Sequence, residues 1–289
     1  MRVTALMIYP VKSMGDVPVD TASIEPWGLA ADRRWGLVDQ SGQKVTAREV
    51  HQLLRFRAET LDEHTIRISD RDGASVVVSA PVGVDRVPVS HTRQGHARPA
   101  AAAVNDWLTD RIAMRVRLVW QDDPTVRSLA EDKGGRPGEY LSLADAGPLL
   151  LASEASMAQL NAWLSAEEDL PRVPDLPGAD VRAGPGASTP LDIVRFRPNI
   201  VIDGEEPFAE DAWPGLQIAD MRFRTTMVCD RCVMTTIDPI TLAGGKEPIR
   251  TLARHRRWDR KTWFGTRLVP LGNGTICVGD PVEPEREPG

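Results

Sequence analysis

The chain is predicted to fold as a mostly β protein with a few helices, in the α+β class. Three observations predict it. Short segments that are apolar or alternating recur along the sequence, divided by turn residues, which is the pattern of half-buried strands. Two tight-turn signals, Asp70-Arg71-Asp72-Gly73 and Asn273-Gly274, lie beside such segments, and glycine there is free to take the positive φ that a hairpin needs. There is no internal repeat and no alternation of strand with long helix, which argues against a doubly wound sheet.

From the N-terminus, Val3 to Tyr9, Trp35 to Asp39, Leu53 to Leu61, Thr65 to Ser69 and Ser75 to Ser79 are the expected strands of a meander or small barrel. Pro99 to Met114 carries an alanine-rich helical pattern with Trp107, Leu108 and Ile112 at compatible spacing. Arg115 to Trp120 returns to alternation on Val116, Leu118 and Trp120. Residues 121 to 140 are polar and rich in Asp, Gly, Pro and Lys, the composition of a domain junction or active-site loop. The expected domains are residues 1–125 and 126–285. Ser153 is the expected N-cap of a helix from Glu154 to Leu164, whose Met157, Leu160 and Leu164 face a core. Pro171 to Pro190 is too dense in Pro and Gly for a regular element and is expected to be a long surface loop. Strands are expected again at Asn199 to Ile202, Gln217 to Ile218, Met221 to Cys229, Arg267 to Val269 and Thr275 to Val278, the last opened by the Asn273-Gly274 hairpin signal. Between them Pro248 opens a basic helix running to about Trp258.

Length and charge bound the function. The 289 residues suffice for roughly two domains with cores that need no staples. A net charge of −6 argues against general attraction to nucleic acid or an anionic membrane. No stretch reaches the roughly 18 apolar residues of a transmembrane helix. Three cysteines, two of them in a Cys-x-x-Cys spacing, make no closed disulfide framework and point to a reducing compartment, the cytoplasm.

The most informative run is Cys229-Asp230-Arg231-Cys232-Val233-Met234-Thr235-Thr236-Ile237-Asp238-Pro239. A guanidinium beside a cysteine favours the thiolate, which is both a soft metal ligand and a nucleophile. Structural zinc is disfavoured because no second Cys-x-x-Cys or clustered His pair supplies four ligands. A thioredoxin-like dithiol would open a helix, whereas the residues after Cys232 are rich in β-branched side chains and lead into a turn. Asp238 is a candidate acceptor for backbone N–H groups around that turn. Lys12, Ser13 and Arg33 together offer a point charge, a hydroxyl and a planar donor fork, a set suited to phosphate. Arg197 and Asn199 flank Pro198 just before a strand. Gly244-Gly245-Lys246 lacks the spacing of a P-loop. Arg250, Arg254, Arg256 and Arg257 form a solvated basic face or, on a sharper reading, a docking surface for an acidic redox protein.

In this order the segments resemble the MOSC family, in the form with an N-terminal MOSC β-barrel-like domain followed by a MOSC β-barrel domain with flanking helices, as in amidoxime-reducing components. The resemblance is carried by Tyr9 to Val19, Asp32 to Arg48, Pro148 to Leu160, Phe196 to Ile202, Cys229 to Pro239, Lys246 to Leu252 and Gly274 to Val282. It implies a molybdenum cofactor, molybdenum bound to molybdopterin, lying between the two domains. It further implies that Cys232 is the metal ligand and catalytic residue. Lys12, Ser13, Arg33, Asp145, Arg197, Asn199, Asp230 and Arg231 are then the cofactor-binding set, with Ala146 beside Asp145. The implied reaction is two-electron reduction of amidoximes, hydroxylamines and N-hydroxylated bases, with electrons from a separate flavin or iron–sulfur protein. Arg267 departs from the pattern, because animal relatives carry an aromatic hydroxyl after the Phe264-Gly265-Thr266 position. A second class stays open: a sulfur or cofactor carrier in which Cys232 holds a persulfide, or binds cofactor without turnover.

Overall fold

The alternating segments assemble mainly into sheet. In the computed structural model, which describes residues 1–168 and 190–285, the largest sheet has nine strands. Its path runs β2 (Val17–Val19), β1 (Val3–Ile8), β14 (Ile200–Ile202), β13 (Leu149–Ser153), β18 (Lys261–Pro270), β16 (Met221–Asp230), β15 (Gly215–Ile218) and β20 (Val282–Pro284), with β17 (Arg257–Trp258) paired to β18. A five-stranded sheet follows the order β10 (Val87–Pro88), β11 (His96–Pro99), β12 (Arg117–Trp120), β5 (Trp35–Val38) and β6 (Lys44–Val45). Two three-stranded sheets complete the β structure: β19 (Gly274–Cys277) with β3 (Thr21–Glu25) and β4 (Gly28–Leu29), and the meander β7 (Arg57–Asp62), β8 (Thr65–Ser69) and β9 (Ser75–Ser79). Helices α1 (Ala102–Ile112), α2 (Glu154–Glu168) and α3 (Ile249–His255) are few, as an α+β class requires. None of the described helices is long and apolar enough to cross a membrane.

Two cores hold the sheets. One gathers Leu37, Leu53, Phe56, Ile68 and Leu118 around the Leu108 face of α1. The other joins Leu6 and Ile24 from the front of the chain to Leu151, Ile200, Phe223 and Leu268 from its second half. Each such side chain contributes about 1.5–3 kcal/mol by leaving water. The second core therefore ties β1 to β14, residues some two hundred positions away. A smaller cluster seats α2 and α3 through Leu160, Leu164 and Leu252 on Phe196 and Phe264, whose rings stack 3.9 Å apart.

Ser153 does cap α2: its Oγ accepts the Ser156 N–H at 3.1 Å. The Asp70 to Gly73 turn joins β8 to β9, with Asp70 Oδ1 accepting the N–H groups of Asp72 and Ala74 and Gly73 at φ +89°. Three expectations need correcting. Leu53 to Leu61 is not one strand: His51–Arg55 is a 3-10 turn that buries the adjacent Leu53 and Leu54 together, which alternation cannot do. The Asn273-Gly274 turn does not close a hairpin between neighbouring strands, because β18 already has β13 and β16 on its two edges, so β19 crosses to β3. The basic helix ends at His255, and Arg257–Trp258 becomes a strand that turns at Asp259 and Arg260, both in the left-handed region, to pair with β18. The stretch from Pro171 to Pro190 lies, apart from Pro190, outside the described residues.

Candidate functional site

The end of β1, the starts of β13 and β14 and the end of β16 converge on a cavity of about 260 Å³. Lys12, Ser13, Arg33, Asp145, Arg197, Asn199, Asp230, Arg231 and Cys232 all line it, so the nine residues singled out from sequence share one space. In a chain of net charge −6, the lining carries seven Lys and Arg side chains against two carboxylates.

The turn after β1 is clamped by backbone geometry. Asp32 Oδ1 accepts the Tyr9 N–H at 2.8 Å, Arg33 N donates to Tyr9 O at 2.8 Å and Lys12 N to Trp35 O at 2.8 Å. Ser13, Arg33 and Arg197 all hold left-handed φ values of 73°, 50° and 56°. Each such non-glycine residue costs of order 1–3 kcal/mol and persists only where the surroundings over-determine it, a pattern concentrated at functional sites. Tyr9 is fully buried beneath two of them: the guanidinium carbons of Arg33 and Arg197 lie 4.4 and 4.1 Å from its ring centroid.

Electrostatics follow burial. Lys12 Nζ donates to Leu143 O at 2.7 Å and to Asp145 Oδ1 at 2.5 Å, and Arg48 Nη2 donates to Asp145 Oδ2 at 2.8 Å. Burial pulls the Lys12 ammonium down to about 8, with Asp145 opposing. For Asp145 burial acts upward but the cations of Lys12 and Arg48 override it, holding the carboxyl well below its usual range. The Asp145 side chain keeps 58% of its exposure, so water screens this pair and its contribution to stability is small. Arg33 Nη1 donates to Asp32 Oδ2 at 2.6 Å and to Asn199 Oδ1 at 3.2 Å. Burial, with the neighbouring Arg33 adding to it, brings Arg197 down to about 10 while Tyr9 opposes.

At the other wall the two cysteines part company. Cys229 is buried and Cys232 exposed. Arg231 Nη1 donates to Cys229 Sγ at 2.8 Å and Nη2 to Phe196 O at 2.6 Å. The cysteine that Arg231 serves is Cys229, two positions back at the end of β16, and not the adjacent Cys232. Cys232 instead meets Arg48, whose cation is penalised by burial but held above its ordinary pKa by Asp145 and Cys232. Sequence reasoning missed Arg48; Thr46-Ala47-Arg48-Glu49 has the Thr-x-x-Glu form of a capping box, with Thr46 Oγ1 donating to Glu49 Oε2 at 2.6 Å, and that signal marks an ordered turn. It also missed Lys133 and the inward role of Arg267, 7% exposed, whose Nη2 donates to Asp230 Oδ1 at 2.6 Å. Asp238 closes its turn by accepting the N–H groups of Ile240 and Thr241 at 2.8 and 2.7 Å and pairs with Arg195 at 2.5 Å.

Three guanidinium nitrogens of the lining, Arg197 Nη2, Arg231 Nε and Arg267 Nη1, are buried with no acceptor. A buried donor left unsatisfied costs about 1–3 kcal/mol. The residues that carry them line one cavity, and its seven cations against two carboxylates suit an acceptor-rich anion. Among the described residues no group of three or more His, Cys, Asp or Glu side chains is placed to hold a metal ion.

Both halves of the chain match known families. The MOSC domain family model matches residues 138–283, and that of the MOSC N-terminal beta barrel domain matches residues 1–115. The chain is 32% identical to mitochondrial amidoxime-reducing component 1 of Homo sapiens, over 97% of this chain and 82% of that protein. It is 27% identical to molybdenum cofactor sulfurase of Oryza sativa, over 93% of this chain but only 32% of the sulfurase. Among solved structures, the match to the YUAD protein from Bacillus subtilis spans 97% of this chain and 93% of that one at 10% identity, with a TM-score of 0.38. Matched along both segments and nearly end to end, the chain belongs to the MOSC family, in the form that carries an N-terminal β-barrel domain.

Proposed function

We propose that the cavity binds a molybdenum–pyranopterin cofactor, with Cys232 as the one protein ligand of the metal, and that the chain reduces N-hydroxylated compounds. The observation that carries the reading is a cavity lining in which seven Lys and Arg side chains outnumber two carboxylates beside the exposed Cys232. The residues fit the group. A phosphate dianion offers several acceptors, and Lys12, Ser13, Arg33, Arg197 and Asn199 bring complementary donors to one end of the lining. A cofactor that supplies its own sulfur ligands also suits a site with no protein cluster for metal, where the exposed Cys232 adds one thiolate.

When bound, this cofactor supplies two-electron reduction of an N–O bond, with the oxygen leaving as water. The chain's residues hold and shield it. Arg48 stands against the Cys232 sulfur; Asp145 fixes Lys12 and Arg48 together; Arg231 and Arg267 hold the buried Cys229 and Asp230 away from the ligand position. Electrons come from a separate flavin or iron–sulfur protein, and the three free cysteines suit the cytoplasm.

The exposure of Cys232 favours one other reading, a carrier that holds a persulfide on this sulfur. Metal and pterin content of wild type and Cys232→Ala, from a host that makes the cofactor, separates them. Molybdenum lost on substitution, with benzamidoxime reduced by the wild type and a viologen donor, supports the reductase. Persulfide on Cys232 in metal-free protein supports the carrier and overturns it.

A further inference from the structure

Between residues 246 and 261 the chain carries seven Lys and Arg against two carboxylates, although the whole is acidic. The fold sorts these cations into two groups. Arg250 is tied to Glu247 at 2.5 Å, and Arg256 pairs with Asp211 while lying 4.0 Å from the Phe208 ring. Those two are engaged within the molecule. Arg257 and Arg260 are exposed, and among the described residues neither has an ion-pair partner. Lys261 is 42% exposed and reaches Asp230 at 3.7 Å.

These last three residues occupy the β17–β18 hairpin. Arg260, exposed and at φ 60°, lies with Asp259 in the two-residue turn between Trp258 and Lys261, at the tip of the hairpin. Between the cations sits Trp258, 41% exposed, its ring stacked 5.3 Å from that of the buried Trp263. Trp263 Nε1 donates to Trp258 O at 3.0 Å, which locks the pair. The hairpin is fastened directly to the cysteine segment: Trp263 is in register with Asp230, and Arg231 N donates to Thr262 O at 2.8 Å. A rigid, half-exposed tryptophan ringed by arginine and lysine is the composition of an interface centre. Here it is paired to the strand that ends at Asp230, two residues before the exposed Cys232.

We infer that the Arg257 to Lys261 hairpin, centred on Trp258, is the docking surface for an acidic electron-transfer protein whose cofactor edge is ringed by carboxylates. The inference rests on the reductase reading above. Cleaving one N–O bond of an amidoxime consumes two electrons and two protons and releases one amidine and one water. Both electrons enter from the donor, and a one-electron iron–sulfur protein delivers them in two encounters. Charge complementarity steers such encounters and fixes their orientation. The chain as a whole carries a net charge of −6, so attraction of an acidic partner has to come from a local basic patch such as this one.

The test uses molybdenum-loaded full-length protein, a plant-type [2Fe–2S] ferredoxin as acidic probe, and the variants Arg257→Glu with Arg260→Glu, and Trp258→Ala. None of these residues lines the cavity. Calorimetric titration of oxidised ferredoxin should show binding that weakens with salt and that the double charge reversal weakens at least about tenfold. Ferredoxin-driven benzamidoxime reduction at limiting ferredoxin should fall by the same factor, with the viologen-driven rate and molybdenum content unchanged. Binding that ignores the reversal, absence of binding, or preference for a single-stranded oligonucleotide over ferredoxin overturns the docking site. If viologen sustains turnover but ferredoxin neither binds nor donates, only the docking inference fails. If neither donor sustains turnover in loaded protein, the reductase reading fails, and the titration still decides whether the hairpin binds an acidic partner.

Discussion

Replacing Arg197 by Met should leave the cofactor-free protein nearly as stable as wild type while sharply weakening its hold on the cofactor. The guanidinium makes one hydrogen bond, to Met14 O at 2.7 Å, and stacks on Tyr9. Losing them costs about 1 kcal/mol and about 0.5–2 kcal/mol respectively. Against this, the substitution removes a buried donor, Nη2, that has no acceptor and whose burial costs about 1–3 kcal/mol, and a like charge beside Arg33. The two sides nearly cancel, leaving a net change within about 2 kcal/mol, and the left-handed φ of 56° strains Met and Arg alike. With phosphate bound, Arg197 donates a charge-assisted bond worth about 1.5–3 kcal/mol. Its loss corresponds to roughly 10- to 150-fold weaker retention. Thermal unfolding of cofactor-free protein and molybdenum content after dialysis read the two effects separately. A loss of more than about 3 kcal/mol in the empty protein, with retention intact, would show that Arg197 is a structural residue and refute the reasoning.

Lys12 gives a pH signature. Its folded pKa of about 8 lies below the ordinary 10.5, so between those values the unfolded chain binds the proton that the folded chain has released, and stability rises with pH across that window. Below it the buried charge keeps its full cost. Denaturant midpoints of cofactor-free protein should show this rise and Lys12→Met should flatten it, whereas retention of an anionic cofactor should weaken as pH passes about 8; parallel profiles for the two proteins would contradict the assignment. Cys232→Ala should lose molybdenum and Cys229→Ala keep it at a stability cost of about 1–3 kcal/mol, since Arg231 Nη1 loses its acceptor; the reverse pattern in metal analysis would exchange their roles. Iodoacetamide should alkylate the exposed Cys232 of empty protein and spare the buried Cys229, as peptide mass mapping would reveal. Ser153→Ala removes the α2 cap and one of two hydroxyl donors to the buried Glu210, and should lower stability by about 1–3 kcal/mol in a denaturant titration without altering metal content.

Local pattern made the meander legible: Thr65 to Ser69 and Ser75 to Ser79 are the strands that alternation indicates, joined by the Asp70 to Gly73 turn. It failed where burial is set by distant partners. β13 is a continuous apolar run, Leu149 to Ala152 before Ser153, flanked by β14 and β18, and nothing local distinguishes such a run from a helix segment. β19 could not be assigned to β3 because pairing depends on which edges are already taken, information held 250 residues upstream. The site was readable to the extent that its chemistry is concentrated: Lys12, Ser13 and Arg33 lie within one turn and its neighbour, and Cys229 to Cys232 within one strand end. Arg48, Lys133 and Arg267 were not, since a lone basic residue in sequence carries no sign of which way it points. Which of its two neighbouring cysteines Arg231 would serve was not legible either, since the direction of the side chain is set by the end of β16.

The lacing of β1 to β14 governs when the site can come into existence. Its walls are drawn from Lys12 at one extreme and Arg267 at the other, and β14, buried along Ile200 to Ile202, has β1 and β13 as its two neighbours. A ribosome that has released only the first two hundred residues has made the Lys12 and Arg33 wall but neither the Cys232 loop nor β18. Long-range pairings of this kind form late and slowly. Whatever anion the cavity receives is therefore captured after synthesis, by a chain that has already closed on itself, and a segment beginning at residue 138 and expressed alone would present the β14 edge bare and open to pairing with its own copies.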